Sequence, residues 1–237
     1  MPKLAFITGI TGQDGSYLAK FLLEKGYRVH GGTRHVSFDA TGRLNELAIH
    51  DDVMLHDFDL GEITNVQRIL DKVAPDEIYN LAGQSFVGSA FEQPIHTSNI
   101  DALGAMRVLE CLRKSGSKAR FYQASTSEMF GKVLVTPQDE DTPFHPRNPY
   151  GIAKLFAHWA TVNYRAAYGI FACSGLLFNH ESPLRGREFV TRKITLGFAR
   201  IRHGLQGPVE LGNLEAGRDW GFAGDYVKGM WQMLQLR

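Results

Sequence analysis

Two side chains four residues apart, Tyr150 and Lys154, carry the clearest chemistry in this chain. On a helix, positions i and i+4 share one face. An ammonium beside a phenol stabilises the phenolate, so Lys154 is expected to lower the pKa of Tyr150. A phenol tuned in that way can take a proton from an alcohol or sugar hydroxyl while hydride leaves the carbon. Taken alone, the pair reads equally well as an amphipathic surface pair. A second cluster lies in Ala124-Ser125-Thr126-Ser127-Glu128-Met129-Phe130-Gly131. Thr126 can hydrogen-bond a substrate hydroxyl or a developing oxyanion, and Glu128 adds a carboxylate two residues on. By itself this segment is just as well a hydroxyl-rich helix cap whose glutamate balances the helix dipole.

A third segment supplies something for these groups to act with. Gly9-Ile10-Thr11-Gly12-Gln13-Asp14-Gly15 follows the apolar run Leu4–Thr8 and precedes an amphipathic stretch from Ser16 to Lys25. That pattern is a strand, a tight glycine turn and a helix. Such a turn lets backbone approach a pyrophosphate, and the helix amino terminus offers it unpaired N–H groups and a partial positive charge. The GxxGxxG spacing does the work of the dinucleotide fingerprint: one glycine bends the chain, one admits the phosphate, one lets helix and strand pack closely.

The elements that must position these groups alternate along the chain. Strand-like runs are expected at Leu4–Thr8, Tyr27–Gly31, Val53–Asp57, Glu77–Leu81, Arg120–Ala124 and Ile170–Leu177. Helical patterns occupy Ser16–Lys25, Val66–Val73, Asn99–Lys114 and Ile152–Tyr168, with polar loops at Thr33–Arg43 and Thr136–Pro149. Strands alternating with helices of this length predict an α/β fold, a Rossmann-type doubly wound parallel sheet, with ligand beyond the carboxyl ends of the strands. This cofactor-binding domain is expected over residues 1–178. Residues 179–237 are expected to form a partial, smaller substrate-binding region that covers the crevice. It is read as a short helix (Arg192–His203), a strand-like Val209-Glu210-Leu211 and a helix (Asp225–Leu236), with Phe198, Ile201 and Leu205 facing a core.

Composition sets outer bounds. The 237 residues are 43% hydrophobic and 22% charged, with a net charge of +1. That is enough apolar material for a sizeable core, and it offers no electrostatic argument for nucleic acid or an acidic membrane. No apolar stretch approaches the length of a membrane span. Met1-Pro2-Lys3 runs straight into the first strand, so no targeting peptide is expected and the setting is read as cytoplasmic. The two cysteines, Cys111 and Cys173, are expected to be buried thiols of a reducing compartment, neither a disulfide nor a metal pair. No metal site is expected.

Together, GxxGxxG, the turn Asn80-Leu81-Ala82-Gly83, the hydroxyl after the fifth strand and YxxxK resemble the extended short-chain dehydrogenase/reductase family. The match narrows through Pro75–Ala82, Phe121–Glu128, Leu177–Pro183, Phe189–Ile194 and Arg218-Asp219-Trp220-Gly221, which resemble the GDP-mannose 4,6-dehydratase branch along essentially the whole chain. The resemblance implies an NADP cofactor cradled by Gly9, Ile10, Thr11, Gly12, Gln13 and Asp14. Arg34 would face the adenosine 2′-phosphate, and no acidic residue ends the second strand to hold a free ribose hydroxyl, which favours NADP over NAD. His35 stands where the family usually has a second arginine. Asp59 and Leu60 match the adenine contacts, and Leu81, Ala82, Gly83, Gln84 and Ser85 the turn under the nicotinamide ribose. His96 stands where tyrosine is common, and Tyr150, Lys154, His180 and Arg185 complete the cofactor set. Ser85, Glu128, Asn179 and Arg218 are implied substrate contacts.

The resemblance further implies a lyase of nucleotide-sugar metabolism. Tyr150, helped by Thr126 and Lys154, would deprotonate the C4 hydroxyl of GDP-mannose as hydride leaves. Glu128 would take the C5 proton and assist loss of the C6 hydroxyl, and the hydride would return to C6. Another sugar-nucleotide dehydratase, reductase or epimerase remains open from the residues alone, as does a non-catalytic dinucleotide-binding fragment. The family normally continues for roughly another hundred residues, the size of a full substrate domain. A homo-dimer or homo-tetramer is implied, with the loop Arg34–Arg43 a candidate contact.

Overall fold

The computed structural model describes residues 2–34 and 40–236. The expectation for His35, and half of the loop Arg34–Arg43, therefore lie outside the described residues. The elements in chain order are β1 (Leu4–Thr8), α1 (Gln13–Glu24), β2 (Arg28–Thr33), α2 (Gly42–Glu46), β3 (Val53–Asp57), α3 (Ile63–Val73), β4 (Glu77–Asn80), α4 (Val87–Glu92), α5 (Pro94–Ser98), α6 (Gly104–Ser115), β5 (Arg120–Ala124), α7 (Pro149–Tyr168), β6 (Ala172–Gly175), β7 (Asn179–Glu181), α8 (Val190–Arg202), β8 (Trp220–Phe222) and α9 (Ala223–Met233).

Among the described residues six parallel strands form one sheet in the order β3-β2-β1-β4-β5-β6. This is the doubly wound arrangement expected from the alternation of runs, and its order reverses between β1 and β4. The central strands are apolar on both faces because helices cover both. In β1, Phe6 points to one layer while Ala5 and Ile7 point to the other. Ile78 and Phe121 join Phe6 against α3, α6 and α7, with Val66, Ile69, Val108 and Leu109 fully or nearly buried there. Tyr79 and Tyr122 join Ala5 and Ile7 against α1 and α9. Cys111 is buried and Cys173 half-buried, both free, and burial pushes each thiol up to about 11.

The segment after 178 departs from expectation in three ways. The helix expected with the cover is α9, which packs on α1 and contributes Val227, Met230 and Leu234 to the core of the sheet. A polar hub at the strands' amino-terminal ends fastens it. Glu77 accepts from Lys3 Nζ at 2.9 Å, the Tyr79 hydroxyl at 2.8 Å and Gln235 Nε2 at 3.1 Å, while Arg120 donates to the carbonyls of Leu234 and Leu236. Val209-Glu210-Leu211 is not a strand: among the described residues it joins neither of the two sheets. The short parallel pair in this region is β7 with β8. Finally, Phe198, Ile201 and Leu205 are exposed (63%, 38% and 74%) rather than core-facing. Only Gly197 of α8 is buried, so that helix lays no apolar stripe against the described residues.

Candidate active site

The carboxyl ends of β1, β4 and β5 open onto a cavity of about 850 Å³ at the point where strand order reverses. A row of buried polar side chains sets its floor. The Thr8 hydroxyl donates to Asn80 Oδ1 at 2.8 Å and accepts from the N–H groups of Leu81 and Ala82, both at 3.0 Å. Asn80 Nδ2 donates to Gln123 Oε1 at 2.8 Å. Three strand ends and the Leu81–Gly83 turn are thereby held in register. Sequence reading places Asn80 only in the turn and gives no role to Thr8 or Gln123; polar residues closing otherwise apolar strands are the signal for such a row.

One end of the cavity suits a pyrophosphate. Gly9 has φ +69°, and a Cβ there would lie 2.8 Å from the Ala82 backbone. A Cβ on Gly15 would strike the Gly9 carbonyl. Gly12 caps α1 with no side-chain hydrogen bond, so the first-turn N–H groups keep their anion-binding capacity. Gln13 and Asp14 face the loop after β7. Gln13 accepts from Ser182 Oγ at 2.8 Å and donates to the His180 carbonyl at 3.2 Å. His180 donates from Nε2 to Asp14 Oδ2 and from Nδ1 to the Phe178 carbonyl, both at 2.8 Å. Two acceptors on one ring select the imidazolium. Burial pulls the His180 pKa down, but the Asp14 bond and charge outweigh it and raise it; the same partner holds Asp14 below its usual range against the opposing effect of its own burial. The His180 ring stacks on Tyr226 at 4.2 Å between centroids. Arg43, which sequence reading leaves in a polar loop, bridges the Thr11 and Leu184 carbonyls.

The other end gathers the reacting side chains. Thr126 caps the short turn Ser127–Met129, its hydroxyl accepting from the Glu128 N–H at 3.2 Å. Asn148 does two jobs. Its Oδ1 caps α7 by accepting from Gly151 N at 2.7 Å, and its Nδ2 donates to Glu128 Oε2 at 2.7 Å. That cap explains why the helix begins at Pro149, earlier than expected, with Tyr150 in its first turn. Tyr150 and Lys154 lie on the buried face of α7, with the Thr126 hydroxyl near enough to the Tyr150 phenol to favour its ionised form. Phenol, carboxylate and ammonium line the same cavity.

One expectation is corrected here. Tyr150 is raised, not lowered: burial dominates, the Asp101 carboxylate adds to it, and the Thr126 hydroxyl only partly opposes them. Lys154 does not offset this. Its Nζ donates to the Ala124 carbonyl at 3.1 Å, lies 5.8 Å from the Tyr150 ring centroid, and faces Asp101. Burial lowers its own pKa.

Every cofactor, catalytic and substrate residue expected from the sequence lines this cavity except Ile10, whose side chain is fully buried in the core against Gly31. Arg34 sits exposed at the mouth and His96 lies on the short α5. Arg185 pairs with Glu181 at 3.2 Å and stacks on Phe189 at 3.6 Å. Sequence reading misses Asp101 and Asn148.

A family model described as GDP-mannose 4,6 dehydratase matches residues 6–237. This chain belongs to the GDP-mannose 4,6-dehydratase family. The GDP-mannose 4,6-dehydratase of Vibrio cholerae serotype O1 is 56% identical to it over 240 residues, covering 98% of this chain and 64% of that protein. The GDP-mannose 4,6 dehydratase 1 of Arabidopsis thaliana is 54% identical, covering 98% of this chain and 67% of that protein. The chain thus spans about two thirds of the length of the curated relatives it matches. Among solved structures, RMD from Pseudomonas aeruginosa complexed with NADPH matches with a TM-score of 0.80 and 26% identity over 98% of this chain and 72% of that one. The UDP-glucose 4-epimerase of Thermus thermophilus, in complex with NAD, shares the fold with a TM-score of 0.83 at 23% identity, over 99% of this chain and 75% of that one.

Proposed function

We propose that this chain is the cofactor-binding and catalytic part of an NADP-dependent GDP-mannose 4,6-dehydratase, residues 1–178 together with α9 supplying the cofactor domain and the segment between them, 179–222, the substrate side. The observation that carries the reading is the Glu128 carboxylate, fixed by Asn148, in one cavity with Thr126, Tyr150 and a dinucleotide turn. Simple hydride exchange at an alcohol needs only the phenol and its partners. Elimination of water needs a further acid/base group, and Glu128 is the residue assigned that role in this reading.

NADP suits the residues present. The glycines leave room at the turn, the uncapped amino terminus of α1 would meet phosphate, and β2 ends at Thr33, followed by Arg34, with no carboxylate at that end. When bound, the cofactor would accept hydride from C4 of the sugar and return it to C6. Tyr150 takes the C4 hydroxyl proton, with Thr126 fixing the oxygen. The new 4-keto group acidifies C5–H. Glu128 removes that proton and delivers it to the C6 hydroxyl, which leaves as water. A proton returned to C5 balances the one Tyr150 accepted, so the product is GDP-4-keto-6-deoxymannose and nothing is net oxidised. Because Tyr150 sits high in this cavity even with the Lys154 ammonium nearby, the added positive charge of the oxidised cofactor would be what brings it into working range.

The family's relatives are named for GDP-mannose, which supports the substrate assignment. Ser85, Asn179 and Arg218 would meet it from the cavity wall. The test is Glu128→Gln with GDP-mannose and NADP. Cofactor binding should persist while 4-keto product is lost; product at the wild-type rate refutes the role. We further propose a homo-oligomer formed through α7, where Ile152, Phe156 and Trp159 are 57%, 41% and 55% exposed at helical spacing. A single-chain mass by light scattering at assay concentration refutes that. The free thiols fit a reducing, cytoplasmic setting.

A further inference from the structure

The helix joining α5 to α6 is interrupted by a stretch of π-helix at Asn99–Leu103. Such widened turns are rare and concentrate at functional sites. This one carries Asp101, 2% exposed, beneath the Gly83–Gln84 turn, which itself lines the cavity. Oδ1 accepts from the Gln84 N–H at 2.8 Å, whereas Oδ2 has no hydrogen-bond partner. Gly83 separates the carboxylate from the catalytic ammonium. A Cβ there would lie 2.6 Å from Asp101 Oδ1 and 3.3 Å from Lys154 Nζ, so only glycine lets the two charges face each other. A buried carboxylate with an unsatisfied oxygen is costly. An asparagine would keep the bond from Gln84 and bury a neutral group in place of the charge, at lower cost. What aspartate adds is charge: burial pushes the Asp101 pKa up, and the Lys154 ammonium it faces across Gly83 opposes that push.

We propose that Asp101 is a positioning residue: its buried carboxylate keeps Lys154 an ammonium and, through Gln84, sets the turn against which Lys154 and Tyr150 work. This rests on the dehydratase reading, in which Lys154 acts as a cation. The charged and titratable groups around Asp101 are Lys154 and Tyr150 on α7 and His96 on α5, with Glu128 and Asp14 reaching Tyr150 from the other walls. Asp101 opposes the downward pull of burial on Lys154 and adds to the upward push on Tyr150. Removing its charge therefore moves both titrations the same way, toward acid.

The test is Asp101→Asn in this chain, read in two ways. Side-chain ¹⁵N NMR of lysine-labelled protein, with the Lys154 signal identified by its loss in Lys154→Arg, should show Lys154 titrating lower than in the parent by about one pH unit or more. Asp101→Glu should restore most of that shift, and Asp101→Ser serves the same titration if the asparagine variant does not fold. The pH profile of GDP-mannose dehydration should move bodily to lower pH, with kcat reduced and KM for GDP-mannose little changed. An unmoved Lys154 titration overturns the proposal, as does a profile that falls in height without shifting. Absence of dehydration in the parent chain would instead refute the functional reading, and the Lys154 titration would still decide this one.

Discussion

Asn148 joins two interactions that a single substitution can separate. Its carbonyl oxygen caps α7 and its amide nitrogen holds Glu128, each at 2.7 Å. Serine caps a helix about as well as asparagine, so Asn148→Ser should keep the first and lose the second. A hydrogen bond to a charged group is worth about 1.5–3 kcal/mol. If that energy orients Glu128 in the transition state, its loss lowers kcat by roughly 10- to 100-fold, at about 1.4 kcal/mol per factor of ten. Asn148→Ala loses the cap as well, about 1 kcal/mol, or roughly 2–4 °C in Tm for a chain of this size. The assay pairs saturating-substrate rates of 4-keto product formation with thermal unfolding of the three proteins. The serine variant should unfold above the alanine variant yet turn over as slowly. A serine variant within about twofold of parental kcat would break the link from Asn148 to Glu128, and rates that follow Tm across the series would make Asn148 a cap and nothing more.

Two further outcomes follow from the phosphate end. His180→Phe keeps a ring over Tyr226 and removes the charge facing Asp14. His180 is raised, so its contribution is complete below its ordinary value near 6.5 and disappears as pH climbs through the folded-state value. Asp14 is lowered, so its share is present above about 3.8 and disappears as pH falls through its folded-state value. The stability gap between parent and variant, about 1–3 kcal/mol, should be widest between roughly pH 4 and 6.5 and narrow above it; a gap that is flat with pH in Tm scans refutes the ion pair. Gly9→Ala forces a side chain onto φ +69° and to within 2.8 Å of Ala82. It should cost at least about 1–3 kcal/mol of stability and abolish NADP binding by calorimetry, and unchanged binding would refute the turn's role.

The parallel sheet and the cavity residues are readable because their signals are local. Apolar runs such as Leu4–Thr8, glycines at fixed spacing and a Tyr–Lys pair one helical turn apart each report on their own neighbourhood. What is not readable depends on contacts between distant segments. Asp101 reads as one more polar position in a helical stretch until a π turn swings it toward Lys154. Tyr150 is expected to be lowered by its neighbour, but burial and a carboxylate 49 positions upstream in sequence decide the direction. The same holds for α9, whose amphipathic pattern fits a cover or a sheet layer equally well. Val209–Leu211 has the composition of a strand, and composition cannot supply the partner a strand requires.

The hub around Glu77 has a kinetic corollary. Lys3 and Gln235 meet on one carboxylate although 232 positions separate them, and α9 completes the layer that shields β1. Strand β1 therefore waits for α9, far along the sequence, before one side of it is dry. A nascent chain halted before residue 223 would present Ala5, Ile7 and Leu22 to water and to chaperones, and refolding should be paced by this far-end docking and not by the glycine turn, which forms among neighbours.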